Sequence, residues 1–118
     1  MHTPVSFEIA KLLKEKGFDK RTSLVWLYSL GKTHLREVHL SLELHNSEYN
    51  APTIAEVVMW LYEKYGVWIS VTFKRHSENK HFAYNIRQAN GIETYLWEHT
   101  SPTEAYEASI EYTLNNLI

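Results

Sequence analysis

Histidines beside carboxylates are the residues of this chain that could most directly do chemistry, and the chain contains seven histidines. His39, Glu43 and His45 alternate with apolar residues in the segment 38–45, so they would share one face of a strand. Imidazole and carboxylate groups both bind zinc. However, His39 and Glu43 would lie roughly 13 Å apart, because each strand residue adds about 3.3 Å. This spacing fits a solvated strand face better than a metal site, and we predict neither a metal nor a cofactor.

Signatures of catalysis are missing from the sequence. The chain has no cysteine, which excludes thiolate nucleophiles and cysteine-bound zinc. It has no glycine-rich phosphate loop, no HExxH pair and no nucleophile elbow. Serine, histidine and glutamate are plentiful, so a triad assembled by folding stays an open alternative. Because no spacing points to one, we predict no catalytic residues and a protein that is not an enzyme.

The densest basic segment is 74–81, in which Lys74, Arg75 and Lys80 could reach phosphate groups from a protruding turn. A solvated turn is the ordinary alternative for such a segment. The net charge of −2 and the isoelectric point near 6.4 argue against a dedicated nucleic-acid binder, because such domains are normally basic. Nucleic-acid binding through these residues is therefore the second hypothesis for function.

Four Trp, eight Tyr and four Phe exclude a disordered chain, because disordered chains are poor in aromatic residues. Trp60 falls on the polar side of a predicted helix, where a large apolar group often marks an interface. Alternatively, the buried face of that helix is wider, and Trp60 belongs to the core. Trp68 and Trp97 are predicted on the sheet face away from the helices. These three tryptophans are the candidates for a protein interface, which would favour a homodimer.

Three helices are predicted from apolar periodicity and from their start signals. The first spans 4–16, with Thr3 as the cap and Pro4 at the first helical position. The second follows Thr53, which forms a capping box with Glu56, and it ends before Gly66. The third begins at the segment 101–104, which is also predicted to form a capping box.

Five strands are predicted between these helices, because β-branched and aromatic residues are concentrated there. They span the segments 22–30, 38–44, 67–74, 82–86 and 92–98. A turn is predicted at 31–34, a loop at 46–52 and a turn at Asn90–Gly91. The order is α-β-β-α-β-β-β-α, and short connections favour antiparallel pairing. We therefore predict one domain, 1–118, of the α+β class, with a mainly antiparallel sheet and three helices on one face.

The order α-β-β-β-α from Thr53 to Ile118 is also that of double-stranded RNA-binding domains. Those domains place basic residues at the start of their last helix. Here that position is occupied by Glu104 and Glu107, which would repel phosphate. Element order alone is a fold-level analogy, so it adds little to the second hypothesis.

Several stretches of the sequence resemble small uncharacterised proteins of phage and mobile-element origin in gut Bacteroidetes. The matching stretches are Ala51-Pro52-Thr53, Trp60-Leu61, Glu63-Lys64, Glu104-Ala105 and Glu107-Ala108, together with the opening segment 5–18. The segment 21–48 is the least similar. The resemblance implies a shared fold and a phage or mobile-element setting, and it implies no activity.

The N-terminal segment and the length of the apolar runs predict the compartment of the protein. The segment 1–17 lacks the basic start and the apolar stretch of a signal peptide, and no apolar run is long enough to span a bilayer. We therefore expect a cytoplasmic protein. The leading hypothesis is a small accessory module that acts by binding an unidentified protein, with self-association through aromatic surface.

Overall fold

The computed structural model describes residues 3–20, 22–37, 48–73 and 82–118, and for 96–98 it describes the backbone alone. The elements are α1 (Phe7–Glu15), β1 (Leu24–Ser29), β2 (Lys32–Glu37), β3 (Glu48–Asn50), α2 (Ile54–Tyr65), β4 (Trp68–Phe73), β5 (Phe82–Arg87), β6 (Glu93–His99) and α3 (Pro102–Asn116). The α+β class, the three helices and the antiparallel pairing are confirmed. The described strands form two sheets of three rather than one, in the orders β2-β1-β3 and β4-β5-β6.

The first sheet differs from the prediction in two places. Its hairpin turns at Leu30–Gly31, so the segment 31–34, predicted as a turn, is largely part of β2. The predicted loop 46–52 contains β3, which pairs antiparallel with β1 and adds a strand to the predicted order. The predicted strand 38–44 lies outside the described residues.

The second sheet agrees with the prediction to within one or two residues at each strand end. The predicted turn between β5 and β6 is confirmed at Asn90–Gly91. Gly91 has a φ of 89°, the left-handed conformation that glycine adopts at little cost. The Asn90 side chain accepts a hydrogen bond from the Ile92 N–H at 3.0 Å, which is typical of asparagine in turns.

The helix starts are set by their capping residues. At α2 the predicted capping box is confirmed, with Thr53 and Glu56 each bonding the backbone of the other. At α1 the predicted cap was wrong. Ser6 caps this helix, and Pro4 lies before it in an isolated bridge to Thr53. At α3, Ser101 caps the Glu104 N–H.

The main core lies between the three helices and one face of the second sheet. Its fully buried side chains include Ile9, Leu13, Ile54, Leu61, Ile69, Ile86, Ile110 and Leu114. The extended segment before α1 joins this core to the first sheet, because the Trp26 indole N–H donates to the Val5 carbonyl at 2.8 Å. Among the described helices, none is both long and apolar enough to cross a membrane.

Candidate protein-binding surface

Trp60 lies in the core, because only 3% of its surface is exposed. Its ring packs edge-on against Phe18 at 5.1 Å and Tyr65 at 5.4 Å between ring centroids. The Lys64 ammonium lies 5.5 Å from the centroid of the Trp60 ring and covers its outer side. Of the two alternatives that the sequence leaves open, this burial favours the core, so Trp60 offers no surface to a partner.

Trp68 is 43% exposed and lies at the start of β4, at one edge of the second sheet. Its ring meets the Tyr62 ring of α2 edge-on at 5.4 Å. Tyr62 and Met59 are also exposed, so these residues form a small apolar patch between α2 and the edge of the sheet. Trp68 therefore keeps the exposure that an interface residue needs.

The remaining candidates lie outside the described residues. These are the Trp97 side chain, the basic residues Lys74, Arg75 and Lys80, and the strand-face residues His39, Glu43 and His45. Among the residues that the structure does describe, no group of three His, Asp or Glu side chains could hold a metal ion.

The element order of a double-stranded RNA-binding domain is present in α2, β4, β5, β6 and α3. The start of α3 is acidic, as the sequence indicates. Glu104 is exposed there and accepts a hydrogen bond from the Thr100 hydroxyl at 2.8 Å. The residues 102–105 of the first turn of α3 include no lysine or arginine, so this position lacks the basic side chains with which double-stranded RNA-binding domains contact phosphate.

The largest group of exposed apolar residues that sequence reasoning missed lies on the β1–β2 hairpin. Leu30 is 98% exposed at its tip, Tyr28 is 51% exposed on β1, and Leu35 is 40% exposed on β2. Tyr28 and Leu35 share one side of the sheet with Trp26, because Trp26 pairs with Leu35 and Tyr28 with Thr33. We call this side, with Trp26, Tyr28, Leu35 and Tyr49, the hairpin face.

The inner part of the hairpin face is held in place by α1. The Phe7 ring meets Trp26 and Tyr49 edge-on at 6.2 and 5.3 Å, and it stacks on Tyr28 at 6.2 Å between centroids. The ammonium of Lys14 lies 4.6 Å from the Tyr49 ring centroid. These contacts fix the aromatic rings in the free protein, so little side-chain entropy remains to be lost on binding.

The tip of the hairpin carries backbone strain. Leu30 has a φ of 53°, in the left-handed region that favours glycine and asparagine, and Gly31 follows with a φ of 75°. An almost fully exposed leucine in this conformation contributes nothing to the core. The period-two series Trp26, Tyr28, Leu30 is the sequence signal that could have identified this apolar edge.

The other side of the first sheet combines an ion pair with buried apolar surface, because Val25, which pairs with Arg36 and Asn50, is fully buried there. Arg36 of β2 forms an ion pair with Glu48 of β3, whose side chain is only 6% exposed. The Thr22 hydroxyl accepts a hydrogen bond from the Ala51 N–H at 3.2 Å. The two sides of the hairpin therefore differ, with the exposed Tyr28 and Leu35 on one side and the Arg36–Glu48 ion pair on the other.

A half-buried carboxylate lies away from the hairpin, where α1 meets α3. Glu107 accepts a hydrogen bond from the Ser6 N–H at 3.2 Å. Burial raises the pKa of Glu107, and the neighbouring carboxylates of Glu111 and Glu8 raise it further, against the lowering by the Ser6 hydrogen bonds. A raised carboxyl pKa can mark a catalytic acid, but the groups that shift it are Ser6, which caps α1, and two further carboxylates, with no histidine or lysine among them. We interpret Glu107 as part of the contact between the helices.

No family model matches the chain, and neither a curated protein nor a solved structure matches it.

Proposed function

We propose that the protein acts by binding another protein chain, and that the β1–β2 hairpin is the surface that makes the contact. The observation that carries this proposal is the exposure of Tyr28, Leu30 and Leu35, three large apolar residues within the span 28–35. Single exposed apolar residues are ordinary, whereas a contiguous group at a strand edge is typical of interaction sites.

Two further properties of the hairpin support this proposal. The rings of the hairpin face are fixed against Phe7, so they form a rigid, preformed contact area. All six residues of β2 are exposed, which leaves room for a partner on the outer side of that strand. Aromatic and apolar residues of this kind supply most of the binding energy in protein interfaces.

The Trp68 patch is a smaller surface of the same chemical type. It lies on the second sheet, and its rings are in contact with each other. We assign the main contact to the hairpin because its exposed apolar residues adjoin a strand whose six positions are all exposed. The patch around Trp68 serves as a comparison surface in the experiments below.

Site-specific photo-crosslinking tests this proposal. A benzophenone amino acid replaces Tyr28 in one variant and Tyr112 in the other, because both tyrosines are exposed and Tyr112 lies on α3, away from the hairpin. Each variant is expressed in the cell and irradiated there, and covalent adducts are separated by mass. We expect a discrete protein adduct from position 28 and none from position 112.

Two results would contradict the proposal. Equal adducts from both positions would show non-specific collision, and adducts from position 112 alone would place the contact on α3. Far-UV circular dichroism of both variants checks that each retains the fold, so that a missing adduct reports on binding and not on unfolding.

A further inference from the structure

The hydrogen-bonding direction of each β2 residue follows from the pairing of β1 with its two neighbours. Ala51 lies opposite Leu24, next to the Val25–Asn50 pair, and its N–H donates to the Leu24 carbonyl at 3.0 Å. Because hydrogen-bonded pairs alternate along an antiparallel pair of strands, the even-numbered residues of β1 form their hydrogen bonds to β3. The odd-numbered residues of β1 therefore bond towards β2. Their partners in the register are residues 32, 34 and 36 of β2.

It follows that Thr33, Leu35 and Glu37 direct their N–H and C=O groups away from β1, to the outer edge of the sheet. Within the described part of the chain, β1 is the only strand that pairs with β2, and no hydrogen bond joins these three residues to another element. A strand edge of this kind is a ready template for pairing with another strand.

We propose that the protein that binds this edge is a second copy of the same chain, joined by antiparallel pairing of β2 with β2 and with Leu35 on the two-fold axis. This inference rests on the proposed function and names its partner. A two-fold axis brings the same strand of both copies together in opposite directions, which is how self-complementary dimers form. The first sheet of one copy and the first sheet of the other then form one continuous sheet of six strands.

The charges on β2 select this register. With Leu35 opposite Leu35 of the second copy, Thr33 lies opposite Glu37 of the second copy, and His34 lies opposite Arg36 of the second copy. The hydroxyl of a threonine can donate to the facing carboxylate. A register shifted by two residues in one direction places Lys32 opposite Arg36 of the second copy. A shift of two residues in the other direction places Arg36 opposite Arg36 of the second copy. Like charges directly opposite each other are unfavourable, so the charges favour the Leu35 axis.

The same register continues an apolar row that exists in the single copy. Tyr49, Trp26 and Leu35 lie opposite one another across β3, β1 and β2. Pairing at Leu35 joins this row to its equivalent in the second copy, so that the exposed Leu35 side chains cover each other. The contact is one strand wide, which is small for a permanent dimer, so we expect weak and concentration-dependent association.

Disulfide trapping tests this geometry directly, because the chain has no cysteine of its own. Leu35→Cys places two thiols on the axis, with Cα atoms about 5.5 Å apart, inside the range that a disulfide spans. Thr33→Cys is the matched control on the same edge. In this register the two Thr33 positions are offset by four residues, or roughly 13 Å along the strand. We expect rapid oxidation of Leu35→Cys to a covalent dimer, and a Thr33→Cys chain that stays monomeric.

Sedimentation of variants without cysteine gives an independent readout. Leu35→Lys puts two ammonium groups opposite each other, so we expect association to weaken by about tenfold or more. Met59→Lys is the matched control, because Met59 is exposed to a similar extent as Leu35 but lies on α2, in the Trp68 patch. We expect Met59→Lys to associate like the wild type.

The outcomes separate the two proposals. A wild type that stays monomeric at millimolar concentration, with an adduct of a different protein at position 28, overturns self-pairing and leaves the proposed function standing. Cross-linking at Thr33→Cys without cross-linking at Leu35→Cys overturns the register. Dissociation by Met59→Lys and not by Leu35→Lys would show that the Trp68 patch, and not the strand edge, makes the contact.

Discussion

Replacement of Trp60 by glutamine is expected to remove a large part of the protein's stability, whereas the same change at Trp68 is expected to be mild. Truncation of a core tryptophan costs about 3–5 kcal/mol, a range that already contains its packing against neighbouring rings. In Trp60→Gln the lost contacts are those to Phe18 and Tyr65. The glutamine refills part of the volume, but its amide costs about 1–3 kcal/mol if no partner is found.

Together these terms give a loss of about 4 kcal/mol for Trp60→Gln, against a total stability of about 5–15 kcal/mol for an ordinary domain. Trp68 is 43% exposed and loses one ring contact, to Tyr62. The expected loss for Trp68→Gln is therefore below about 1.5 kcal/mol. Trp60 lies in α2 and Trp68 begins the strand that follows it, so the two variants compare a buried with an exposed tryptophan in neighbouring elements.

The assay is urea unfolding followed by far-UV circular dichroism, because three other tryptophans would confuse a fluorescence signal. Each variant is measured at two protein concentrations tenfold apart. A loss through the core is independent of concentration, whereas a loss through an interface shrinks on dilution, because the wild type then dissociates as well. A change below 1 kcal/mol for Trp60→Gln, or equal changes for both variants, would refute the placement of Trp60 in the core.

Three further predictions concern single positions. Leu61→Ala should cost about 2–4 kcal/mol in chemical denaturation, because the side chain is fully buried at the centre of α2 and leaves a cavity; a loss below 1 kcal/mol would contradict this. Leu30→Asn should raise stability by about 0.5–1 kcal/mol, since asparagine before glycine tolerates the positive φ, and an unchanged melting temperature would contradict the strain. Glu107→Gln should raise the stability of the folded protein, and the gain should be largest near neutral pH. Burial raises the pKa of Glu107 in the folded protein, so the stability this group contributes is present below its unfolded pKa and is lost as pH rises through the folded value. The gain should stay below about 1 kcal/mol because the group is about half exposed, and a gain that is largest at pH 3 would refute the sign.

The elements that were predicted well are those whose signals are local. The capping box at Thr53 and the apolar stripe of α2 both lie within one helix, and the Asn90–Gly91 turn is a dipeptide signal. Each of these features is determined by residues a few positions apart, so it can be identified from a single sequence.

The first sheet was predicted poorly because its signals are not local. The strand β2 is exposed at all six positions, so burial imposes no alternation on its sequence. Its turn has leucine where asparagine is the usual residue, so the turn was predicted at 31–34 instead of Leu30–Gly31. The strand β3 is three residues long and polar, and only its pairing with a strand 23 positions earlier, Trp26 to Tyr49, makes it a strand.

The candidate surface was missed for the same reason. Sequence reasoning assigned interface roles to tryptophans, because it predicted Trp60 on the polar side of a helix and Trp68 and Trp97 on the sheet face away from the helices. The structure places Trp60 in the core and leaves Leu30, an ordinary leucine in the sequence, almost entirely exposed. Exposure depends on which elements pack together, and that packing is decided by contacts distant in sequence.

The contact between α1 and α3 has a consequence for biosynthesis. The Ser6 N–H meets the Glu107 carboxylate across 101 positions of sequence, and Ile9 and Leu13 are buried in the core that α3 completes. A ribosome adds about 5–20 residues per second, so α1 waits about 5–20 s for its partner helix. During that interval its apolar face is open to chaperones and to neighbouring nascent chains. Final closure of the core is therefore a late event, and a pause in translation before α3 would lengthen the period in which the chain can aggregate.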